Sequence, residues 1–202
     1  MKWHLAVQVG DVAPQIDAGE GEQTLSLPID TDGAPGPIKH NVWNVIGRHQ
    51  LPDPPAVAVD LFRMAAAAYA ADLRISRGAD PRSDQWTRDF VLHLPVVELA
   101  RWEGAKATLM QLLRFLTGDV WRVELLQAPY AAPPARKGFR KTYPILDATA
   151  TCLLSGGLDS FIGAADALAG GDRLYLASVG SQGSAAHSTG AQRRTVRALQ
   201  DQ

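Results

Sequence analysis

The sequence predicts an α/β chain: an N-terminal α+β accessory domain over residues 1–126, a linker over 127–144, and the beginning of a parallel-sheet domain over 145–202. Three observations predict it. Helical and strand periodicities alternate as far as residue 125. Proline and basic residues then crowd the stretch 127–144. A strand-length apolar run, a glycine-rich turn, a helical segment and a second apolar run follow, which is the start of a βαβ unit.

The first domain reads element by element. Residues 1–50 carry few signals, and 2–9 are a candidate strand. Gly-Ala-Pro-Gly-Pro at 33–37 is a loop. Asp53-Pro54-Pro55 marks a helix start, with Asp53 as the cap and proline in the first turn. The helix is expected over 57–73, with Leu61, Met64/Ala65, Ala68 and Asp72 on one face. Alternation of Phe90, Leu92 and Leu94 with Val91 and His93 predicts a strand over 89–94. Leu99, Trp102, Leu109, Leu113 and Leu116 mark a helix over 97–116, stopped by Gly118. Trp121, Val123 and Leu125 alternate with Arg122 and Glu124 in a half-buried strand.

Composition narrows the function. The 202 residues are 46% apolar and 20% charged, which is globular rather than disordered. Twenty Lys and Arg against 21 Asp and Glu leave a net charge of −1, so there is no global basic field for non-specific nucleic-acid binding. The single cysteine, Cys152, excludes a disulfide framework and a cysteine-rich zinc site within these residues. It is expected to be a buried small hydrophobe. No signal-peptide run opens the sequence, and the alanine-rich stretch at 65–71 is too short to span a bilayer. A cytoplasmic protein with no membrane partner is the expectation. Arg136, Lys137, Arg140 and Lys141 read as solvated linker charge, with a basic arm to polyphosphate or RNA as the sharper alternative.

The chemistry is concentrated after residue 148. Ala-Thr-Ala-Thr-Cys-Leu-Leu at 148–154 runs into Ser155-Gly156-Gly157-Leu158-Asp159-Ser160, then a helix over 161–168, a Gly170-Gly171 stop and a strand over 174–179. Two glycines allow positive φ and close approach of a ligand to the backbone. A turn that ends at a helix N-terminus aims N–H groups at one point, which suits an anion. Ser155 and Ser160 add hydroxyls. Asp159 repels bare phosphate, so its place implies either Mg²⁺ between them or a helix cap. No lysine follows Lys141, so the loop is not a Walker A loop, and G-x-G-x-x-G and G-x-S-x-G are absent.

The S-G-G-x-D-S motif between a strand and a helix resembles the pyrophosphate-binding loop of the PP-loop ATP pyrophosphatases. Within that superfamily the chain is similar to the 7-cyano-7-deazaguanine synthase (QueC) branch, and most to the QatC-type proteins of antiphage defence operons. That narrower resemblance also draws on Asp60-Leu61-Phe62 through Tyr69-Ala70-Ala71-Asp72, on Trp86-Thr87-Arg88, and on Phe115-Leu116-Thr117-Gly118-Asp119. It implies a Rossmann-like (HUP/PP-loop) fold for 145–202, with ATP and Mg²⁺ as cofactors. The activity implied is ATP-dependent adenylation of a substrate oxygen, with pyrophosphate and then AMP released. The substrate implied is a deazapurine carboxylate, and a partner protein from the same operon is a further expectation. Residue by residue, Ser155, Gly156, Gly157, Leu158, Asp159 and Ser160 would hold the pyrophosphate. Asp159 and Ser160 would be catalytic, Asp159 the metal ligand, and Ser178 and Val179 the adenine contacts.

The pattern also departs from the family. The QueC-type stretch after the second strand is represented only by Gln182 within Gly180-Ser181-Gln182-Gly183, with His187 later. The family's four-cysteine zinc site has no counterpart here, and the parallel sheet reads as incomplete. The competing expectation is a nucleotide- or protein-binding module without turnover. Arg193 and Arg194, on a helix expected over 190–199, are surface charges or polyphosphate partners. His4, His40, His49 and His93 show no metal-ligand spacing, and His93 is expected to be structural.

Overall fold

Alternating side chains build the first sheet in a computed structural model of the chain, which describes residues 1–29, 42–78, 86–130, 147–178 and 185–200. Strand β1 (Lys2–Val9) lies between β2 (Gln23–Ile29) and β3 (Asp89–Val96), and β4 (Val120–Gln127) pairs with β3. The order is β2-β1-β3-β4, and every pairing is parallel. The N-terminal part is therefore α/β in its own right, not the α+β layer that the sequence suggests. Periodicity reports which face a residue occupies; it carries no information on strand direction. Parallel pairing needs a crossover connection rather than a tight hairpin, and two of the three connections here carry a long helix.

Two helices supply those crossovers: α2 (Ala56–Arg74) leads from β2 to β3, and α3 (Leu99–Thr117) from β3 to β4. Both crossovers move the same way across the sheet, so right-handed connection sets both helices on one face. Strand register assigns Leu5, Val7, Leu27, Phe90, Leu92, Leu94, Trp121 and Val123 to that face. There they form one buried cluster with Met64, Ala67, Ala71, Leu109 and Leu113. The opposite face carries His4, Gln8, Thr24, Ser26, Asp89, His93, Arg122 and Glu124. A short helix, α1 (Val42–Arg48), sets Trp43 edge-on to Phe62 of α2 at 5.1 Å.

Several expectations shift. Neither β2 nor α1 is anticipated. The N-cap of α2 is Pro55, with extended backbone and no side-chain cap, so Asp53 does not cap it. Two consecutive prolines hold Asp53 outside the first turn. The buried face of α2 includes Asp60 and Arg63, while Leu61, Ala65 and Asp72 are exposed. Polar residues inside the core rotate the true face away from the apolar stripe. Leu109 and Leu113 of α3 are buried, whereas Leu116 is exposed. Gly118 does stop α3, with φ +75°.

Asp60 is fully buried and accepts bonds from Val97 N, Glu98 N and Trp102 Nε1 at 3.0–3.1 Å. It thus anchors, from α2, the backbone that enters α3, whose N-cap Glu98 makes no side-chain cap bond.

Two compact units divide the chain: residues 1–47 with 52–139, and residues 48–51 with 140–202. In the second, β5 (Ala150–Leu153), α4 (Leu158–Ala169), β6 (Leu174–Ala177) and α5 (Ala185–Gln200) follow in order. β5 and β6 pair in parallel, with Ala150 opposite Leu174. Cys152 is half-buried rather than internal, and its neighbour Leu153 is 75% exposed. The described residues place a single neighbour, β6, beside β5. Residues 33–37, His40 and the basic residues of 136–141 lie outside the described residues.

Candidate functional site

The turn after β5 is shaped by one glycine and left open by the other. Gly156 has φ +87°, and a Cβ there would stand 2.9 Å from the Gln192 N and 3.1 Å from Ala191 Cβ. Only glycine fits both that backbone and that contact. Gly157, with φ −88°, is the N-cap of α4 and has no side chain to cap the first turn. A Cβ added there would meet only Ser155 Oγ, at 3.4 Å. Nothing in the protein itself requires glycine at 157.

The two serines lock the turn. Ser155 Oγ lies 3.1 Å from Ser160 Oγ and accepts from Gly157 N at 3.2 Å. Ser160 Oγ donates to Gly157 O at 3.0 Å. Residues five apart are thus brought together around the helix start. Ser155, Gly157, Leu158 and Asp159 are exposed, and Asp159 lies in the first turn of α4. The donors and the positive end of the helix dipole accordingly face an open position.

A cavity of about 400 Å³ lies at the carboxyl ends of the two strands. It is lined by Leu154, Leu176, Ser178, Gln192, Arg193, Val196, Arg197 and Gln200. Leu154 immediately precedes the serine-glycine turn, so cavity and turn adjoin. In open parallel sheets the crevice at this end of the strands is where ligands bind. Arg193 and Arg197 stand one helical turn apart on α5 and bring two positive charges to the lining. Gln192 also donates to Leu154 O at 3.4 Å. Arg197 and Gln192 were not singled out by sequence reasoning; their i, i+4 and adjacent relations to Arg193 were the available signal. Val179, Gln182 and the His187 side chain lie outside the described residues.

Among the described residues, no three His, Cys, Asp or Glu side chains group to hold a metal ion. One carboxylate suffices for Mg²⁺, which binds through one or two carboxylates together with substrate phosphates. Asp159, exposed beside the turn, fits that demand. A four-cysteine zinc centre does not fit a chain whose only cysteine is Cys152.

A second polar cluster lies in the first unit and was also unanticipated. Glu22 Oε2 is 2.8 Å from His4 Nε2, and His4 Nδ1 is 2.9 Å from His93 Nε2. Hydrogen bonds from Lys2, His4 and Gly19 N pull the Glu22 carboxyl down to about 2. Burial, then the neighbouring His4, holds the His93 imidazole below its usual range, against a smaller opposing pull from Glu124. Both groups are depressed in the folded state, so the unfolded chain binds more protons on acidification and stability falls. The contribution of His93 is present above pH 6.5 and is lost as pH drops below it. That of Glu22 is lost between about 4.5 and 2. Thermal melts from pH 8 to pH 5 are expected to show a falling midpoint, with the slope near pH 6 removed by His93→Gln.

No helix among the described residues is long and apolar enough to cross a membrane. The chain matches no protein-family model, no curated protein and no solved structure.

Proposed function

We propose that the 145–202 region is the ATP-binding part of a PP-loop ATP pyrophosphatase of the QueC type, which adenylates a substrate oxygen. The observation that carries this reading is the Ser155–Ser160 turn itself. It has a positive-φ glycine, paired hydroxyls and an uncapped helix start, and it opens beside an arginine-lined cavity. Such a turn stabilises a leaving diphosphate by positioned donors rather than by acid–base exchange.

In this reading a carboxylate oxygen of the substrate attacks the α-phosphorus of ATP. The bond between the α-phosphorus and the bridging oxygen breaks, and pyrophosphate leaves with that oxygen. A nitrogen nucleophile then displaces AMP. Ser155, Ser160 and the amides at the start of α4 bind the departing pyrophosphate. Asp159 would hold Mg²⁺, which would supply charge neutralisation between carboxylate and phosphates. Arg193 and Arg197 offset the remaining negative charge. Ser178 and Val179 would bound the adenine. A deazapurine carboxylate is the substrate class that the QueC-like reading favours, and a role in antiphage defence follows from the QatC-like stretches.

Calorimetry of the whole chain with ATP in Mg²⁺ and in EDTA tests the reading. Binding that requires Mg²⁺, and that loses this requirement in Asp159→Ala, is the expected result. Release of AMP and pyrophosphate on adding a 7-deazaguanine carboxylate and ammonia would distinguish turnover from a binding module. Absence of any ATP binding would remove the proposal.

A further inference from the structure

We infer that Glu22, His4 and His93 form a proton relay on the sheet face away from α2 and α3, and that it ends in a base, His93 Nδ1, which takes a proton from a bound hydroxyl group or water. The site lies in the first unit and does not depend on the nucleotide reading. Topology brings the three side chains together. The step from β1 to β2 crosses the sheet in the opposite sense to that from β2 to β3, so a right-handed connection carries residues 10–22 over the face opposite the helices. Glu22 ends that connection immediately before β2, in a turn where Glu22 N bonds Gly19 O at 3.0 Å. His4 and His93 lie on that same face, diagonally across the two central strands.

Hydrogen-bonding capacity then fixes each proton. Glu22 is ionised and only accepts: one oxygen takes Lys2 Nζ, the other takes Gly19 N at 3.0 Å and His4 Nε2 at 2.8 Å. His4 Nε2 therefore carries a hydrogen. A neutral His4 is bare at Nδ1, so His93 Nε2 donates the 2.9 Å bond between the rings. A neutral His93 is then bare at Nδ1. That nitrogen makes no hydrogen bond among the described residues and is not enclosed. Burial and then His4 favour the neutral ring, against Glu124, which stands opposite His93 on β4. The other charges on this face are paired, Lys2 with Glu22 and Arg122 with Asp89.

Ring geometry selects a proton over a metal ion. The centroids are 5.2 Å apart and the planes 25° from parallel, so with nitrogens 2.9 Å apart the rings stand end to end. The N–H of one ring points at the lone pair of the other. Two ligands of one ion would instead aim both lone pairs at a third point. A proton arriving at His93 Nδ1 is matched by transfer of the Nε2 proton to His4 Nδ1. His93 ends neutral in the opposite tautomer, and the positive charge rests on His4 against the Glu22 carboxylate. A carboxylate that orients an imidazole and stabilises its cation in this way is the supporting arrangement of an imidazole base.

Nitrogen NMR of the histidine rings in the whole chain tests this. At neutral pH both His4 and His93 are expected to carry their hydrogen on Nε2 alone. On acidification the first proton is expected to leave His93 neutral, with its hydrogen moved to Nδ1, and His4 charged. In Glu22→Gln that charge is expected to stay on His93. Diethyl pyrocarbonate, which acylates a bare imidazole nitrogen, is expected to modify His93 at neutral pH at least about tenfold faster than His4, whose two nitrogens are both bonded. A parent chain with His93 protonated at Nδ1 at neutral pH, or with the first added proton resting on His93, overturns the inference. So does a His93 acylated no faster than His4, or a charge that Glu22→Gln leaves on His4.

Discussion

Replacing Asp119 by alanine is expected to cost the first unit about 3–5 kcal/mol, the penalty for stranding a buried charge partner. Asp119 is fully buried and Arg88 is 7% exposed. The carboxylate accepts from Arg88 N at 3.0 Å, from Arg88 Nη2 at 2.6 Å and from Arg77 Nη1 at 3.1 Å. Burial alone would raise the Asp119 carboxyl, but the Arg88 hydrogen bonds and charge outweigh it and hold the group below its usual range. The same guanidinium donates to Ile75 O at 2.7 Å, while Asp72 faces it from the half-exposed end of α2. One arginine thus ties the exit of α2, the entry of β3 and the α3–β4 corner. Asp119→Ala leaves that charge with Asp72 alone. Asp119→Asn keeps an acceptor and should lose less. Urea unfolding checks both, and a midpoint unchanged in Asp119→Ala would show that the knot contributes nothing.

The stretches that carry the narrower family resemblance take on a physical meaning here. Asp60, Asp72, Arg88 and Asp119 all fall within them, and all four enter buried or half-buried polar contacts: Asp60 ties α2 to the entry of α3, and Arg88 ties α2 to the α3–β4 corner through Asp72 and Asp119. They were legible as unusual text but not as partners, because Arg88 and Asp119 are separated by 31 residues. Alternation exposed β3 and β4, since one face of each is apolar. It also runs through Leu25, Leu27 and Ile29 of β2. There Pro28 argues against a central strand, and β2 is indeed an edge strand, where proline is tolerated. The serine-glycine turn was legible because the geometry it needs is local: positive φ, hydroxyls five apart and a helix start. The cavity beside it was not, because its lining joins strand ends to a helix some forty residues onward.

The two glycines of the turn separate folding from binding, and their alanine variants should behave oppositely. Gly156→Ala forces a side chain into left-handed backbone and against the Gln192 N, so it is expected to destabilise the second unit by about 1–3 kcal/mol or more. Gly157→Ala places its methyl group at ordinary contact distance from Ser155 Oγ and in a φ that alanine adopts readily. Its cost to folding is expected to stay near the few tenths to 1 kcal/mol of a poorer N-cap residue. On the proposed function, the methyl group would instead intrude on the space a phosphate takes beside the α4 amides. Affinity for ATP·Mg²⁺ is expected to fall at least about 100-fold, the scale on which positioned donors and small displacements act at such sites. Thermal melts paired with calorimetry on the two variants read both effects. A Gly157→Ala protein that folds and binds nucleotide as tightly as the parent would mean that this open position holds no phosphate. The requirement for glycine at 156 would then be one of packing against α5 alone.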